Sequence, residues 1–375
     1  MSSSIKSTAL EPDASLDGAA STIVQRLARA VPSYGLVGLT VALALLFSVL
    51  LPNTFPTLFN LRAILSDKSI IALLALAAMI PMITGKIDLT VGYGIVLWHI
   101  LAISLQTRYG LPWPAAVLIV LACAALFGML NGLLVELAQI DSFIATLGTG
   151  TVLYAVAMWH SGGRQVVGEL PEGFVALAGS DFLGLPVPAF YVLAVALVLW
   201  AVTEFMPLGR ALYVIGANPK AAELNGLSVR RHVMGAFVAS GLLGGFAGVL
   251  LASRLQIGQA SVGLEFLLPA LVGAFLGSTT IRPGRVNVWG TLVGVAILAI
   301  GISGIQQFGG AFYVEPLFNG LTLLISIGIA GYAQQRRNAS IRRRISQRQL
   351  GDGAPDAPTI AHPTPDINKA VQGHN

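Results

Sequence analysis

The chain has 375 residues, 55% of them hydrophobic and only 10% charged, with a formal net charge of +5. Soluble domains carry about 25% charged residues, so this composition excludes a water-soluble fold that must cover its own surface. A single cysteine, Cys123, lies inside an apolar stretch with no Cys or His cluster around it, which excludes an intramolecular disulfide and a cysteine metal centre.

Residues 1–33 are polar and lack the apolar core of a cleaved signal, so they read as a cytoplasmic segment ahead of the first membrane helix. Ten apolar blocks then follow, at residues 34–51, 69–84, 91–107, 113–137, 142–160, 188–206, 233–253, 264–279, 288–306 and 316–332. Blocks of roughly 20 apolar residues are what a bilayer core asks of a helix, so the fold class is an all-α polytopic membrane protein of about ten transmembrane helices, spanning 34–333. Residues 334–375 begin with arginines (Arg336, Arg337, Arg342, Arg343, Arg344, Arg348) and continue rich in Pro, Asp, Gly and Ala. Beside a final membrane helix this basic run reads as a cytoplasmic anchor against the lipid surface, not a nucleic-acid arm, and the end of the tail reads as disordered.

Charge asymmetry orients the spans. With the N-terminus inside, the segment 207–232 is cytoplasmic and holds Arg210, Lys220, Arg230 and Arg231 against Glu223 alone. The loop 281–287, with Arg282 and Arg285, and the basic tail also fall inside, while 161–187 falls outside with Glu169, Glu172 and Asp181 against Arg164. Arg62 and Lys68 in the first outside loop run against the trend, yet ten spans with both termini cytoplasmic fit the positive-inside rule best. Within 207–232, Asn218 is a helix N-cap with Pro219 at the first helical position, and Gly226 is a left-handed stop. A connector needs neither that length nor that capping, so the segment reads as a docking surface.

The most unusual stretch, residues 82–94, puts Thr84, Lys86, Asp88 and Thr90 between two short apolar blocks. A charge at the bilayer centre costs about 2.5–3.5 kcal/mol on insertion scales. Two arrangements avoid that cost: a cytoplasmic turn in which Lys86 and Asp88 are solvated, or a break between half-helices facing a polar pathway. Neutral polar groups within later blocks, Asn131, Thr146 and Thr149, suit hydrogen bonding to hydroxyls and join that candidate pathway. Gly128 with Gly132, Gly241 with Gly245, and Gly290 with Gly294 have the spacing of close helix packing. There is no regular array of intramembrane carboxylates, no nucleotide-binding Gly-x-x-x-x-Gly-Lys-Ser/Thr loop, no zinc-protease motif and no nucleophile elbow. No catalytic residue, cofactor or metal site is therefore expected, and an ion-coupled carrier is the lesser alternative.

Four stretches resemble one known family, the permease subunits of ribose-type ABC importers. Residues 83–92 (ITGKIDLTVG) are similar to its ITGGIDLSVG signature; Asn131 onward with 143–148 (FIATLG) resembles its NG and FIATLGT stretch; 209–226 resembles its cytoplasmic loop; and 276–294 resembles its C-terminal signature. Lys86 stands where the family has Gly, and 278–287 loses glycines while gaining Arg282 and Pro283. The resemblance implies an ABC importer permease fold in the bacterial inner membrane that moves a monosaccharide or polyol by alternating access. It also implies three partners: a cytoplasmic ATP-binding subunit, a periplasmic sugar-binding protein and a second permease subunit, as a homodimer or a pseudo-symmetric pair. Coupling to the ATPase would fall on Gly209, Arg210, Asn218, Pro219, Ala221, Glu223 and Gly226.

Overall fold

A computed structural model of the chain describes residues 34–311, 313–325 and 328. The segments 1–33 and 334–375, read above as a polar N-terminus and a basic tail, lie outside the described residues. Among those described, seven helices are long and apolar enough to cross a membrane. They are α2 (Leu58–Ile83), α3 (Thr90–Thr107), α4 (Trp113–Glu136), α5 (Ser142–Ser161), α7 (Val187–Phe205), α10 (Val229–Leu255) and α12 (Val288–Gln307). The remaining three apolar blocks form shorter helices: α1 (Tyr34–Leu50), α11 (Leu267–Leu276, entered through a 3-10 turn at Leu264–Phe266) and α13 (Val314–Ile325). The end of the last block, 329–332, lies outside the described residues. The all-α expectation holds: the only sheet among the described residues pairs β1 (Asp181–Phe182) with β2 (Leu185–Pro186).

Three boundaries differ from those the hydropathy pattern gives. Helix α2 starts at Leu58, eleven residues before its apolar block, because the Thr57 hydroxyl accepts the Asn60 N–H at 3.2 Å and caps it. Arg62 and Lys68 therefore sit on a helix and not in a loop, paired with Asp181 and Glu315. The segment 161–187 contains a short helix, α6 (Glu172–Gly179), whose Phe174 is fully buried. The segment 207–232 holds two helices, α8 (Pro207–Ala217) and α9 (Pro219–Leu224). Each starts with proline, whose missing N–H costs nothing at the first helical position.

Helix α10 is the axis of the bundle, packed along α4, α3 and α2. Its contact with α4 runs through glycines. A Cβ built on Gly128 would lie 2.3 Å from the Phe237 carbonyl oxygen, and one on Gly241 2.4 Å from that of Ala124. Only a hydrogen fits there, so both Gly-x-x-x-Gly pairs set a backbone-to-backbone approach. Gly290 and Gly294 do the same for α12 against the end of α11. Leu193, Leu197 and Val198 of α7 and Leu118 and Leu126 of α4 stay exposed on the outer faces, as apolar side chains facing lipid would.

Candidate functional site

The unusual stretch is a backbone break between α2 and α3, and several of the backbone groups it frees find partners nearby. Helix α2 ends tightly: Thr84 N–H and Lys86 N–H both donate to the Pro81 carbonyl, at 2.9 and 3.1 Å, and the Thr84 hydroxyl donates to it at 2.8 Å. Gly85 turns the chain with φ +80°, a left-handed conformation that glycine adopts freely. Residues 86–89 then belong to neither helix, so no helical ladder supplies their partners. Helix α5 supplies them from its first two turns. Ser142 Oγ accepts the Ile87 N–H and Thr146 Oγ1 accepts the Leu89 N–H, each at 3.1 Å. A buried amide without a partner would cost about 1–3 kcal/mol, so these two hydroxyls make the break tolerable inside an apolar bundle.

Asp88 closes the break from the other side. It is 1% exposed. Its Oδ1 accepts the Thr90 N–H at 2.9 Å and the Thr90 hydroxyl, and its Oδ2 accepts the Ser240 hydroxyl of α10 at 2.7 Å. A carboxylate at the N-terminus of α3 also faces the positive end of the helix dipole. The chain of bonds continues outward: Asn131 Nδ2 of α4 donates to Thr90 Oγ1 at 3.2 Å, and the Thr149 hydroxyl of α5 donates to Asn131 Oδ1 at 2.6 Å. Asp88, Thr90, Asn131 and Thr149 thus form one network joining α3, α4, α5 and α10. Thr146 reaches the same break through the backbone, and Thr84 serves as a local cap.

Lys86 stands apart from that network. Its Nζ lies 3.5 Å from Glu136 Oε1, the last residue of α4, whose side chain is only 8% exposed. A carboxylate at a helix C-terminus meets the negative end of the dipole, and burial adds to its cost; Lys86 offsets both. The pair borders a cavity of about 380 Å3 that α9 and the start of α10 complete with Lys220, Glu223 and Arg230. Ser142 and Ser240 are the partners least visible in the sequence. Ser142 could have been suspected as a hydroxyl beside the α5 cap Asp141, whereas nothing local distinguishes Ser240 from a packing serine.

Helices α8 and α9 sit against this break. The Gly216 Cα approaches the Ile83 carbonyl so closely that a Cβ there would be 2.0 Å from its oxygen. Asn218 caps α9 by accepting the Ala221 N–H at 3.0 Å, and Gly226 takes φ +80° just beyond it. Gly209 is buried in the corner between α7 and α8, where a Cβ would meet Val202 and Thr203 backbone at 2.4 Å. Arg210, Pro219 and Glu223 are exposed, Ala221 is half-buried, and Leu224 at the tip is 83% exposed. The loop before α12 joins from the other flank. The Tyr213 hydroxyl donates to the Val286 carbonyl at 2.7 Å, Arg285 lies 3.4 Å over the Tyr213 ring, and Arg282 pairs with Glu204. Burial pushes the Tyr213 phenol above its ordinary range, with the Arg285 charge opposing.

A family model described as branched-chain amino acid transport system / permease component matches residues 60–330. The chain is 32% identical over 286 residues to the ribose import permease protein RbsC of Bacillus subtilis (strain 168), covering 76% of this chain and 88% of that one. It is 27% identical over 296 residues to the D-allose transport system permease protein AlsC of Escherichia coli (strain K12), covering 79% and 90%. It is 30% identical over 280 residues to the autoinducer 2 import system permease protein LsrD of the same strain, covering 72% and 84%. No solved structure matches the chain. The chain belongs to the branched-chain amino acid transport system / permease component family, and within it to the ribose-type sugar importer permeases.

Proposed function

We propose that this chain is the transmembrane permease subunit of an ATP-binding-cassette importer that carries a monosaccharide or polyol across the bacterial inner membrane. ATP hydrolysis resides in a separate cytoplasmic subunit, a periplasmic binding protein delivers the solute, and two copies of the permease form the conduit. The chain itself performs no covalent chemistry. Both termini, α8 and α9 face the cytoplasm. The observation that carries this reading is the way α8 and α9 combine an exposed tip with a rigid root. Leu224 stands bare at the tip while Gly216 seats α8 directly on the α2–α3 break. A docked ATPase subunit that displaces α9 moves the break, and with it the hydrogen-bonded ends of α3, α4, α5 and α10. Alternating access then follows as a rigid shift of packed helices. Within this scheme Thr84, Asp88, Thr90, Asn131, Thr146 and Thr149 hold the pathway helices together, and Lys86 belongs to the cytoplasmic rim.

The test is co-purification and vesicle uptake. The chain should purify with an ATP-binding subunit, and uptake of a radiolabelled sugar should require ATP and its binding protein. Glu223→Arg should preserve assembly but lower uptake per ATP hydrolysed. Uptake that proceeds on an ion gradient without the ATPase would make the chain a secondary carrier instead.

A further inference from the structure

A second cavity, of about 510 Å3, forms a groove between α7 and α10 and falls within the size range of small-molecule sites. Leu199 and Val202 of α7 and Leu208 of α8 wall it, and the buried Ile80 of α2 and Leu212 of α8 lie at its floor. The α10 side is bare. Gly235, Ala236 and Ala239 carry at most a methyl group, and a Cβ built on Gly235 would meet nothing within 4 Å. Further along α10 a Cβ on Gly241 would lie 2.4 Å from the Ala124 carbonyl oxygen. Small residues there close the helix against a neighbour, whereas here they leave space.

The groove has the depth of one leaflet. From Ser228, the cap of α10, to Ala239 is eleven positions, about 16 Å, close to half of the roughly 30 Å hydrocarbon core. Helix α7 is the least buried of the seven long helices, and Leu208 and Gly235 are exposed, so the groove opens at a face that meets lipid.

Its polar groups are gathered at one end. Ser228, Arg231 and His232 line the rim, and no carboxylate lines the groove. Arg230, one residue earlier, turns instead to the cavity beside Lys86. Glu204, next to the lining Thr203, is held by Arg282. The Arg231 guanidinium makes no ion pair or hydrogen bond among the described residues. His232 donates its Nδ1–H to the Ser228 carbonyl at 2.8 Å, which leaves Nε2 over, and the Ser228 hydroxyl makes no capping bond. A soluble anion would use this rim and leave the apolar slot empty. A neutral lipid would fill the slot and leave the cation unanswered. An anionic phospholipid answers both.

We propose that the groove holds one acyl chain of an anionic phospholipid, with its phosphate against Arg231. That this leaflet is the cytoplasmic one rests on the orientation in the importer reading above; the binding itself does not. The test uses the full-length chain, one copy per phosphatidylcholine nanodisc, with a trace of phosphatidylglycerol bearing a photoreactive diazirine midway along one acyl chain. Mass spectrometry should find the label on Leu199, Val202 or residues 235–239. Unlabelled phosphatidylglycerol should displace it saturably, at about fivefold lower concentration than phosphatidylethanolamine, and inorganic phosphate should not displace it. Arg231→Gln should bring the two lipids within about twofold, the loss of one cation near the surface. Gly235→Leu, which puts a side chain into the open space and replaces Gly with a better helix former, should abolish the label without lowering Tm. Label spread evenly over the exposed faces of α7 and α10, equal displacement by the two lipids, displacement by inorganic phosphate, or undiminished label in Gly235→Leu would each overturn the proposal. So would a label lost when a second copy enters the disc or the ATP-binding subunit is added, which would give the groove to a protein. The expected labelling in a chain whose uptake runs on an ion gradient would keep the site and sink the importer reading. No groove label in a chain with ATP-driven uptake would do the reverse.

Discussion

Gly216→Ala tests the junction between α8 and the break more directly than any charge change. The added Cβ would lie 2.0 Å from the Ile83 carbonyl oxygen, 3.1 Å from its carbon and 3.3 Å from the Thr84 Cα. All three are backbone atoms, so no side chain can rotate away. An ordinary C···O contact is about 3.3 Å, so α8 must withdraw by roughly 1.3 Å. Overpacking of this kind costs about 1–3 kcal/mol, and the helix preference of Ala over Gly returns about 1 kcal/mol. The net loss should be about 1 kcal/mol, a fall in Tm of roughly 2–4 °C by scanning calorimetry in detergent. The functional loss should be larger than that, because the displaced helix is the one proposed to carry the ATPase movement. Uptake per ATP hydrolysed, measured in proteoliposomes, should drop several-fold while assembly persists. Gly235→Ala is the matched control: a Cβ there meets nothing within 4 Å, so the helix preference acts alone and stability should rise by about 0.5–1 kcal/mol. Unchanged Tm and coupling ratio in Gly216→Ala would refute the close contact and the role built on it.

Other substitutions probe the parts separately. Ser240→Ala removes one of three donors to the Asp88 carboxylate and should cost about 1–2 kcal/mol by thermal unfolding, whereas Asp88→Ala strands the Thr90 N–H and the Ser240 hydroxyl and should cost about 3 kcal/mol or more. Equal losses would mean that Ser240 contributes no bond. Lys86→Met should cost about 1–2 kcal/mol, less in 1 M salt, and a double-mutant cycle with Glu136→Gln should return most of it as coupling; additivity would show the pair to be solvated and idle. Gly128→Leu should separate α4 from α10 and lower expression of folded protein, since even a Cβ would sit 2.3 Å from the Phe237 oxygen; normal yield and Tm would contradict that packing.

The sequence shows the fold class plainly because a bilayer demands long apolar runs, and all ten runs became helices wherever they are described. It shows α9 because capping is local chemistry: Asn218, Pro219 and Gly226 all lie within one nine-residue stretch. It hides the start of α2, where Arg62 and Lys68 mimic a loop. Their charges are neutralised by Asp181 and Glu315, 119 and 247 residues further on, and no local pattern encodes such a partner. The candidate site divides the same way. Asp88, Thr90, Asn131, Thr146 and Thr149 stand out as polar groups in apolar surroundings, but their mutual contacts, and Ser142 and Ser240 among them, exist only once five segments meet.

Residues 84–90 combine a turn and a buried break in one short segment. Lys86 and Gly85 form the turn, at the rim beside α8 and α9 with an ion pair to Glu136. Two residues later Asp88 is buried, its carboxylate accepting the Thr90 N–H and the Thr90 and Ser240 hydroxyls. A helix broken inside a membrane protein must satisfy its backbone by other means, and here two hydroxyls of α5 and one carboxylate do so. That requirement explains the odd composition without invoking a ligand. Glycine is needed for the turn, an acid for the start of α3, and threonine for linking the acid to Asn131. The same economy has a mechanical consequence. The break places the seat of α8, at Ile83, within five residues of a network that reaches four helices. The segment most distinctive in sequence therefore also links the seat of α8 to the hydrogen-bonded core of the bundle.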